Sequence, residues 1–473
     1  MRNLPRPHSV HAGSTTGSRR RRGRDARLRT VTARREQPTQ LPSDGRGQLR
    51  RYVRLRPRRG LVNTRVVIVG SGQSGTTVAT TLRDRGFTGA VTIVGTEVHL
   101  PYERPPLSKQ FLTAETDTTN LDLRPATYYE DRDIELVLGH TVISIDLGAH
   151  TAALDDGRAL GYTTLVLATG TRPVIPEVAG TDLAGVHVLR TVDDAAALRE
   201  QLASSRHVTT VGGGFIGLEL SAAAQKKGIE SCVLDIADRV LQRAVSPITS
   251  DYLADWHRER GTSVRLGTGM IEIVGTKGRV EAVRTTAGEH IRTDTVVLAV
   301  GVRANTELAE RAGLVTRNGV VVDEYLRTSD PSVFAVGDCA NFPDNVSGLP
   351  IRIESVQAAT DHARAVALQI IGDQVGPYAS VPWFWSNQGS MKLQIAGYTQ
   401  CSDTDVVRGD PKQGKFSVFR FLDGHLRAVE SINRPADHVT ARRLLALGDS
   451  PTPESITTTT DLRSLVPLAA ATA

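Results

Sequence analysis

Residues 65–75 read RVVIVGSGQSG, an apolar run that ends in closely spaced glycines. A helix-like pattern follows to position 85, and a second apolar run at 91–94 ends near Glu97. This order predicts a strand, a tight turn, a helix and another strand, in which backbone N–H groups and a helix N-terminus approach a pyrophosphate. Glu97 follows Gly75 by 97 − 75 = 22 residues, close to the roughly 20 typical of an acid that binds a ribose. The candidate residues of this turn are Gly70, Gly72, Ser74 and Gly75.

The same order of elements occurs a second time. Residues 208–217 read VTTVGGGFIG, and the strand predicted at 231–234 is followed by Asp235, 235 − 217 = 18 residues after Gly217. One such cluster alone is often just a strand-to-helix turn, and either acid alone is often a solvated loop residue. Two complete copies predict two bound nucleotides. The candidate residues of the second turn are Gly212, Gly213, Gly214, Ile216 and Gly217.

Three further apolar runs end in small residues. They read LVLATG at 165–170, TVVLAVG at 295–301 and VFAVGD at 333–338. Because open α/β sheets bind ligands beyond the carboxyl ends of their strands, the residues at these ends become candidates as well. These are Ala168, Thr169, Gly170, Gly301 and Asp338.

The pattern predicts an α/β fold with two nested Rossmann-like nucleotide-binding domains and a C-terminal α+β domain. We expect an FAD-binding domain at 61–174 and 306–379, interrupted by an NAD-binding domain at 175–305, with short, paired connections between them. In the C-terminal domain, 380–473, alternating runs at 416–421 and 426–432 predict strands. The last helix-like segment covers about 436–447.

Length and composition are those of an ordinary globular protein. The 473 residues exceed the size at which a single core keeps growing, so two or three domains are expected. The chain is 40% hydrophobic and 23% charged, and no apolar run approaches the roughly 20 residues of a membrane span. We therefore expect no membrane association.

The net charge of +6 is unevenly distributed. Residues 1–60 contain 18 Arg, no Lys and three acids, which gives 18 − 3 = +15 and leaves 6 − 15 = −9 for the remainder. This segment is predicted to be a disordered tail. A nucleic-acid-binding arm and a transit peptide both favour Arg over acids. The absence of Lys favours a third explanation, an upstream start codon with the working protein beginning near residue 61 or 62, and no nucleic-acid partner is expected.

Cysteine usage excludes several classes of protein. Cys232, Cys339 and Cys401 are far apart in the sequence. This spacing argues against a disulfide scaffold, a metal site and a redox-active C-x-x-C pair. It is consistent with a reducing cytoplasm.

Several longer motifs carry a family resemblance. Between about residues 64 and 449 the chain resembles the FAD-dependent NADH:ferredoxin reductases of bacterial oxygenase systems, the family of putidaredoxin and rhodocoxin reductases, which implies a glutathione-reductase-like architecture. The motifs are PPLSK at 105–109, GGGFIGLE at 212–219, AVGDCA at 335–340, IESV at 353–356 and PWFWS at 382–386.

The resemblance also implies roles for particular residues. Lys109 would lie near the flavin ring and pair with Glu219, where a cation stabilises a reduced, anionic flavin; an exposed helical lysine is the alternative. Trp385 would cover the flavin and shape the electron exit; a core tryptophan is the alternative. The residues implied to contact FAD are Arg104, Val142, Arg190, Asp338 and Val356. Departures from the family pattern are Thr96, Asn387 and Ala304, and with Thr96 in place of an acid, Glu97 must bind the ribose alone.

The implied reaction transfers hydride from NADH to FAD and then single electrons to a [2Fe-2S] ferredoxin that serves a monooxygenase or dioxygenase. Related disulfide reductases carry a cysteine pair where this chain has residues 105–109, so electrons would leave the flavin directly. Asp235 should favour NADH over NADPH, although Arg239 lies nearby. The alternatives are a rubredoxin, nitrite-reductase-type or monodehydroascorbate reductase, or a flavoprotein similar to apoptosis-inducing factor, whose sequence support is the basic tail.

Overall fold

The computed structural model describes residues 64–344, 348–373, 375–399, 402–448 and 450–467. The predicted tail at 1–60 and Cys401 lie outside these residues. The strands are β1 Arg65–Val69, β2 Ala90–Gly95, β3 Ile134–Leu138, β4 Val142–Asp146, β5 Thr151–Leu154, β6 Ala159–Gly161, β7 Thr164–Leu167, β8 Thr171–Pro173, β9 Val186–His187, β10 His207–Val211, β11 Glu230–Leu234, β12 Ser263–Arg265, β13 Met270–Thr276, β14 Arg279–Thr285, β15 His290–Arg292, β16 Thr295–Leu298, β17 Val302–Ala304, β18 Val320–Val321, β19 Val333–Ala335, β20 Ala340–Pro343, β21 Pro350–Ile351, β22 Trp383–Gln388, β23 Met391–Gly397, β24 Thr404–Asp410, β25 Lys415–Leu422 and β26 His425–Ile432.

Helices connect most of these strands. The α-helices are α1 Gln73–Asp84, α2 Ala126–Glu130, α3 Val192–Ser204, α4 Phe215–Lys226, α5 Pro247–Arg258, α6 Glu307–Arg311, α7 Val356–Ile370, α8 Pro435–Leu447 and α9 Pro453–Thr458. Short 3-10 turns occur at Pro105–Ser108, Thr118–Asn120, Gly337–Cys339, Pro411–Gln413 and Leu462–Leu465. Within the described residues, no helix is both long and apolar enough to cross a membrane.

The first glycine-rich turn belongs to a parallel sheet with strand order β19-β7-β1-β2-β3. Four of the five β1 residues are buried, as expected for a central parallel strand that is covered on both faces. Helices α1 and α7 pack against each other beside this sheet. The carboxyl ends of β1, β7 and β19 therefore meet at one edge, as the sequence pattern predicts.

The second glycine-rich turn belongs to a second parallel sheet, with strand order β12-β11-β10-β16-β9. Its central strand β10 is flanked by β11, which ends before Asp235, and by β16. Two antiparallel three-stranded sheets, β4-β5-β6 and β13-β14-β15, were not predicted from the sequence. In the sequence, the first of these sheets lies between β3 and β7 and the second lies between β12 and β16.

Two short strands cross between the parallel sheets. β8 leaves the first sheet after β7, β17 returns from the second after β16, and they pair antiparallel with Thr171 opposite Ala304. The expectation of short, paired connections near residues 174 and 305 agrees with this pairing.

The C-terminal segment forms an antiparallel sheet with strand order β22-β23-β26-β25-β24. The predicted strands at 416–421 and 426–432 are β25 and β26, and the helix predicted at 436–447 is α8, which packs against β26. The prediction that this helix is the last one is wrong, since α9 follows and packs against β24 and β25. The β-branched residues Ile456, Thr457 and Thr458 weaken its helical signal, because such residues lose rotamer freedom in a helix.

Candidate functional site

The first glycine of each nucleotide turn has a backbone conformation that other residues rarely adopt. Gly70 has φ +119° and Gly212 has φ +114°. A Cβ on Gly70 would lie 2.1 Å from the carbonyl oxygen of Ala168, and one on Gly212 would lie 2.3 Å from that of Ala299. Each turn therefore presses against the neighbouring strand of its own sheet and requires glycine there.

The third glycine of each turn brings the helix close to the strand. A Cβ on Gly75 would lie 1.9 Å from the carbonyl oxygen of Gly70, and one on Gly217 would lie 2.0 Å from that of Gly212. Such approaches exclude any side chain. The two turns are thus the same structure built twice, at the ends of β1 and β10.

Packing within the protein does not require glycine at the two middle positions, Gly72 and Gly214. A Cβ on either would meet no protein atom within 4 Å, and both residues have extended backbone angles that alanine also adopts, with φ −76° and −79°. Each is also the N-cap of its helix, α1 or α4, and neither makes a side-chain cap. The first N–H groups of these helices therefore face an open surface and fit a pyrophosphate.

A polar cluster follows the end of β2. Glu97 accepts hydrogen bonds from the hydroxyl of Tyr102 at 2.5 Å and from Nη2 of Arg104 at 2.6 Å. Burial raises the pKa of Tyr102 well above its usual range, so Tyr102 stays a neutral donor. Each oxygen of the Glu97 carboxylate keeps a further lone pair, which is the capacity needed to accept from ribose hydroxyls.

Asp235 is held rigidly at the end of β11. Its carboxylate accepts from the N–H of Gly213 at 2.6 Å and from the N–H of Ala237 at 2.8 Å. The nearby cation, Arg239, donates to the carbonyl oxygens of Val245 and Gln242 at 2.9 and 3.1 Å. Its guanidinium is therefore engaged with the following loop.

A second polar cluster lies where β7 and β19 end. Nη2 of Arg190 lies 3.3 Å from Oδ2 of Asp338, and Arg104 donates to the carbonyl oxygen of Arg190 at 2.6 Å. These contacts join the cluster at Glu97 to Asp338. A Cβ on Gly170 would lie 3.2 Å from Nη2 of Arg190, and one on Gly337 would lie 2.8 Å from the hydroxyl of Ser74. The structure thus brings both of these strand ends to the first nucleotide turn.

His362 fixes the backbone beside Asp338. Its Nδ1 accepts the N–H of Gly337 at 3.2 Å, and burial among Phe342 and Tyr378 lowers its pKa to about 3. The imidazole is therefore neutral and its Nδ1 can accept only if Nε2 carries the proton. No sequence motif pointed to this residue.

Lys109 and Glu219 form a largely buried ion pair between the two nucleotide-binding units. Nζ of Lys109 lies 2.7 Å from Oε2 of Glu219, and the two side chains are 14% and 5% exposed. Ser108 donates to the same carboxylate oxygen at 2.5 Å, and Ser386 donates to Oε1 at 2.6 Å. The alternative of an exposed helical lysine is excluded. Sequence analysis did not identify the two serines.

Trp385 lies on β22, which packs against α4. Its ring centroid is 5.4 Å from that of Trp383, which in turn contacts the guanidinium of Arg442 at 4.3 Å. The side chain of Trp385 is half-buried, so it differs from a core tryptophan. Neighbouring side chains alternate along the strand: Phe384 packs on Phe215 with centroids 4.4 Å apart.

The remaining candidates lie as follows. Thr169 exchanges hydrogen bonds with Asn305, each at 2.8 Å, which ties the end of β7 to the segment that follows β17. Val356 is the first residue of α7, and Ile216 is half-buried in the first turn of α4. Gly301 has φ +120° beyond the end of β16. Val142 is buried at the start of β4, where it packs in the core of the first sheet.

Two sequence-family models match almost the whole described chain. The model described as pyridine nucleotide-disulphide oxidoreductase matches residues 64–363, and the model described as reductase C-terminal matches residues 383–466. The first covers both parallel sheets, and the second covers the antiparallel sheet.

Individual relatives agree with these models. The chain is 46% identical over 389 residues to rhodocoxin reductase of Rhodococcus erythropolis, covering 82% of this chain and 91% of the relative. It is 38% identical over 388 residues to putidaredoxin reductase of Pseudomonas putida, covering 81% and 92%. Among solved structures, a ferredoxin reductase from Rhodopseudomonas palustris superimposes with a TM-score of 0.84 at 42% identity, covering 86% of this chain and all of that one.

Proposed function

The chain belongs to the pyridine nucleotide-disulphide oxidoreductase family, and from this premise we propose that it is an NADH-dependent, FAD-containing reductase that delivers electrons to an iron–sulfur ferredoxin of an oxygenase system. The observation that carries the proposal is the largely buried Lys109–Glu219 pair, which joins two units that each carry a nucleotide turn of the same form. Relatives named for a ferredoxin reductase component of the p-cumate and anthranilate dioxygenase systems support the choice of acceptor.

The first turn is assigned to FAD. Gly72 and the N-terminus of α1 would bind its pyrophosphate, and Glu97 would accept from the adenosine ribose. Arg104, Arg190 and Asp338 form a hydrogen-bonded line away from Glu97, which supports their contact with the rest of an extended cofactor. Bound FAD supplies the chemistry that the side chains lack, since it takes two electrons with a hydride and gives them up singly.

The second turn is assigned to NADH. Gly214 and the N-terminus of α4 would bind the pyrophosphate, and the Asp235 carboxylate would accept from ribose hydroxyls while repelling a 2′-phosphate. The contacts of Arg239 with two backbone carbonyls support a preference for NADH, because they engage the cation that would otherwise neutralise that phosphate.

Lys109 would act between the two nucleotides. A fixed ammonium in a site sheltered from water stabilises negative charge that develops next to it, and Glu219 keeps this ammonium in place. We assign Trp385 to the rim of the same region, where its half-buried ring would cover the cofactor.

Electrons would pass to the acceptor without a protein dithiol. In the part of the chain that the structure describes, Cys232 and Cys339 are free and buried, and burial raises the pKa of both thiols. Neither has the low-pKa, accessible character of a reactive thiol. We therefore propose that electrons leave the flavin directly for a one-electron carrier, without passing through either thiol.

The test is an anaerobic titration of the purified protein. Its visible spectrum should show bound flavin, NADH should bleach that spectrum at lower concentration than NADPH, and an oxidised [2Fe-2S] ferredoxin should restore it. Reoxidation by rubredoxin and not by any ferredoxin would change the acceptor. Folded protein without flavin absorbance would refute the proposal.

A further inference from the structure

Glu219 is held from its far side by a serine of the C-terminal sheet. Ser386 is fully buried on β22, and its hydroxyl lies 2.6 Å from Oε1 of Glu219. A carboxylate can only accept hydrogen bonds, so the single hydroxyl proton of Ser386 points at Glu219. Oε2, the other oxygen, is the one that contacts Lys109 and Ser108.

Two more buried groups orient this hydroxyl. Nε2 of Gln388 donates to Oγ of Ser386 at 3.3 Å, and Oε1 of Gln388 lies 2.8 Å from Nε2 of His257. An amide oxygen is an acceptor, so Nε2 of His257 carries the proton. Gln388 and His257 are both fully buried, and burial lowers the pKa of His257, which keeps it neutral.

These three hydrogen bonds form a series in which every donor points in the same direction. The order is His257 to Gln388 to Ser386 to the Glu219 carboxylate. Hydrogen bonds in such a chain polarise one another and strengthen in a low-dielectric interior. This series of hydrogen bonds connects α5, β22 and α4, so the C-terminal sheet contributes directly to the electrostatics of the ion pair.

The geometry points to Ser386 as a positioning residue: oriented by Gln388 and His257, its hydroxyl fixes the Glu219 carboxylate so that the ammonium of Lys109 stays at the place where hydride is transferred. This inference rests on the proposed function. It assigns to Ser386 a role that Trp385, its neighbour on the same strand, does not share, because adjacent side chains of a strand point to opposite faces.

The chain offers a matched control. Ser417, on β25 of the same sheet, is also fully buried, and its hydroxyl lies 3.0 Å from the carboxylate of Asp437. Removing either hydroxyl deprives a buried carboxylate of a donor. Only the Ser386 substitution removes it from Glu219.

The experiment compares Ser386→Ala, Ser386→Thr and Ser417→Ala as FAD-loaded proteins. Anaerobic stopped-flow mixing with NADH gives the limiting rate of flavin reduction and the apparent Kd for NADH, and a dye-coupled titration gives the midpoint potential of the flavin. We expect Ser386→Ala to lower the limiting rate about tenfold, the scale of one hydrogen bond to a charged group, with a Kd changed less than about twofold and a lower potential. Ser386→Thr should restore the rate and potential, and Ser417→Ala should leave both unchanged.

Several results would overturn the inference. These are a parent-like rate and potential in Ser386→Ala, an equal loss in Ser417→Ala, or no rescue by threonine. If Ser386→Ala does not fold with FAD, the comparison of Ser386→Thr with Ser386→Cys decides, since cysteine keeps the size but is a weak donor; equal rates and potentials would refute the assignment. If NADH fails to reduce the unaltered protein, the proposed function fails and the inference fails with it.

Discussion

Replacing the middle glycine of each nucleotide turn should separate the two cofactor sites without damaging the fold. Gly72→Ala and Gly214→Ala each add a methyl group that meets no protein atom within 4 Å. Both positions have backbone angles open to alanine, and exchanging glycine for alanine at an N-cap changes stability by about 1 kcal/mol or less. The added methyl should therefore obstruct the ligand and leave the protein folded.

The size of the effect follows from the contact that is lost. If the methyl group moves a pyrophosphate away from one backbone N–H, the loss is about 1.5–3 kcal/mol, which corresponds to about 10- to 150-fold in Kd. Gly72→Ala should purify with reduced flavin content, measured by absorbance per mole of protein. Gly214→Ala should keep its flavin and show a raised apparent Kd for NADH in stopped-flow reduction.

Gly217→Ala is the contrasting variant, because its Cβ would lie 2.0 Å from the carbonyl oxygen of Gly212. It should lower the thermal unfolding temperature, whereas Gly214→Ala should not. The assignment would be refuted if Gly72→Ala lost NADH affinity with full flavin content, or if Gly214→Ala lost flavin and kept its affinity for NADH.

Three further outcomes are expected. Lys109→Met should retain FAD and slow flavin reduction by NADH about tenfold or more. The control Lys226→Met breaks an exposed ion pair with Glu115 and should leave the rate unchanged. Equal rates for Lys109→Met and the parent would refute the role of Lys109. Asp235→Asn should lower the NADH to NADPH ratio of kcat/KM about tenfold or more, because a charge-assisted acceptor is lost and repulsion of the 2′-phosphate ends. The pKa of His362 falls from 6.5 to about 3 on folding, so between these values only the unfolded chain takes up a proton. The free energy of unfolding should therefore decrease as the pH falls through this window, by up to about 1.4 kcal/mol per pH unit. His362→Gln keeps an acceptor and should flatten the pH dependence of the unfolding temperature between pH 6 and 4.

The nucleotide turns could be predicted because their determinants are local. The distance from Gly75 to Glu97 is 22 residues, and a strand, a tight turn and a helix within that length leave the chain little choice of arrangement. The same holds for Gly212 and Asp235. The antiparallel sheet β13-β14-β15 was not predicted because most residues of its strands are exposed or half-buried, which weakens the alternation of apolar and polar residues that marks a strand.

The residues that orient the candidate site escaped for a different reason. Ser108 and Glu219 are 111 residues apart, and Ser386 and Glu219 are 167 apart. The local sequence around a serine in an apolar strand does not show whether its hydroxyl donates a functional hydrogen bond or the side chain only packs in the core. The partner of such a residue is decided by how sheets and helices pack, which is not a property of any short stretch of sequence.

The effect of a substitution should depend on whether the site it alters is built from one segment of the sequence or from several. A substitution within a glycine turn should affect the binding of one nucleotide, because the turn is built from a single segment. The Glu219 carboxylate is held by three segments, namely the turn that carries Ser108 and Lys109, helix α4 and strand β22, so a shift of any one of them alters the same carboxylate. Substitutions at Gln388 or His257 should therefore slow flavin reduction while both nucleotides still bind. An NADH Kd that rises in step with the loss of rate would contradict this reasoning.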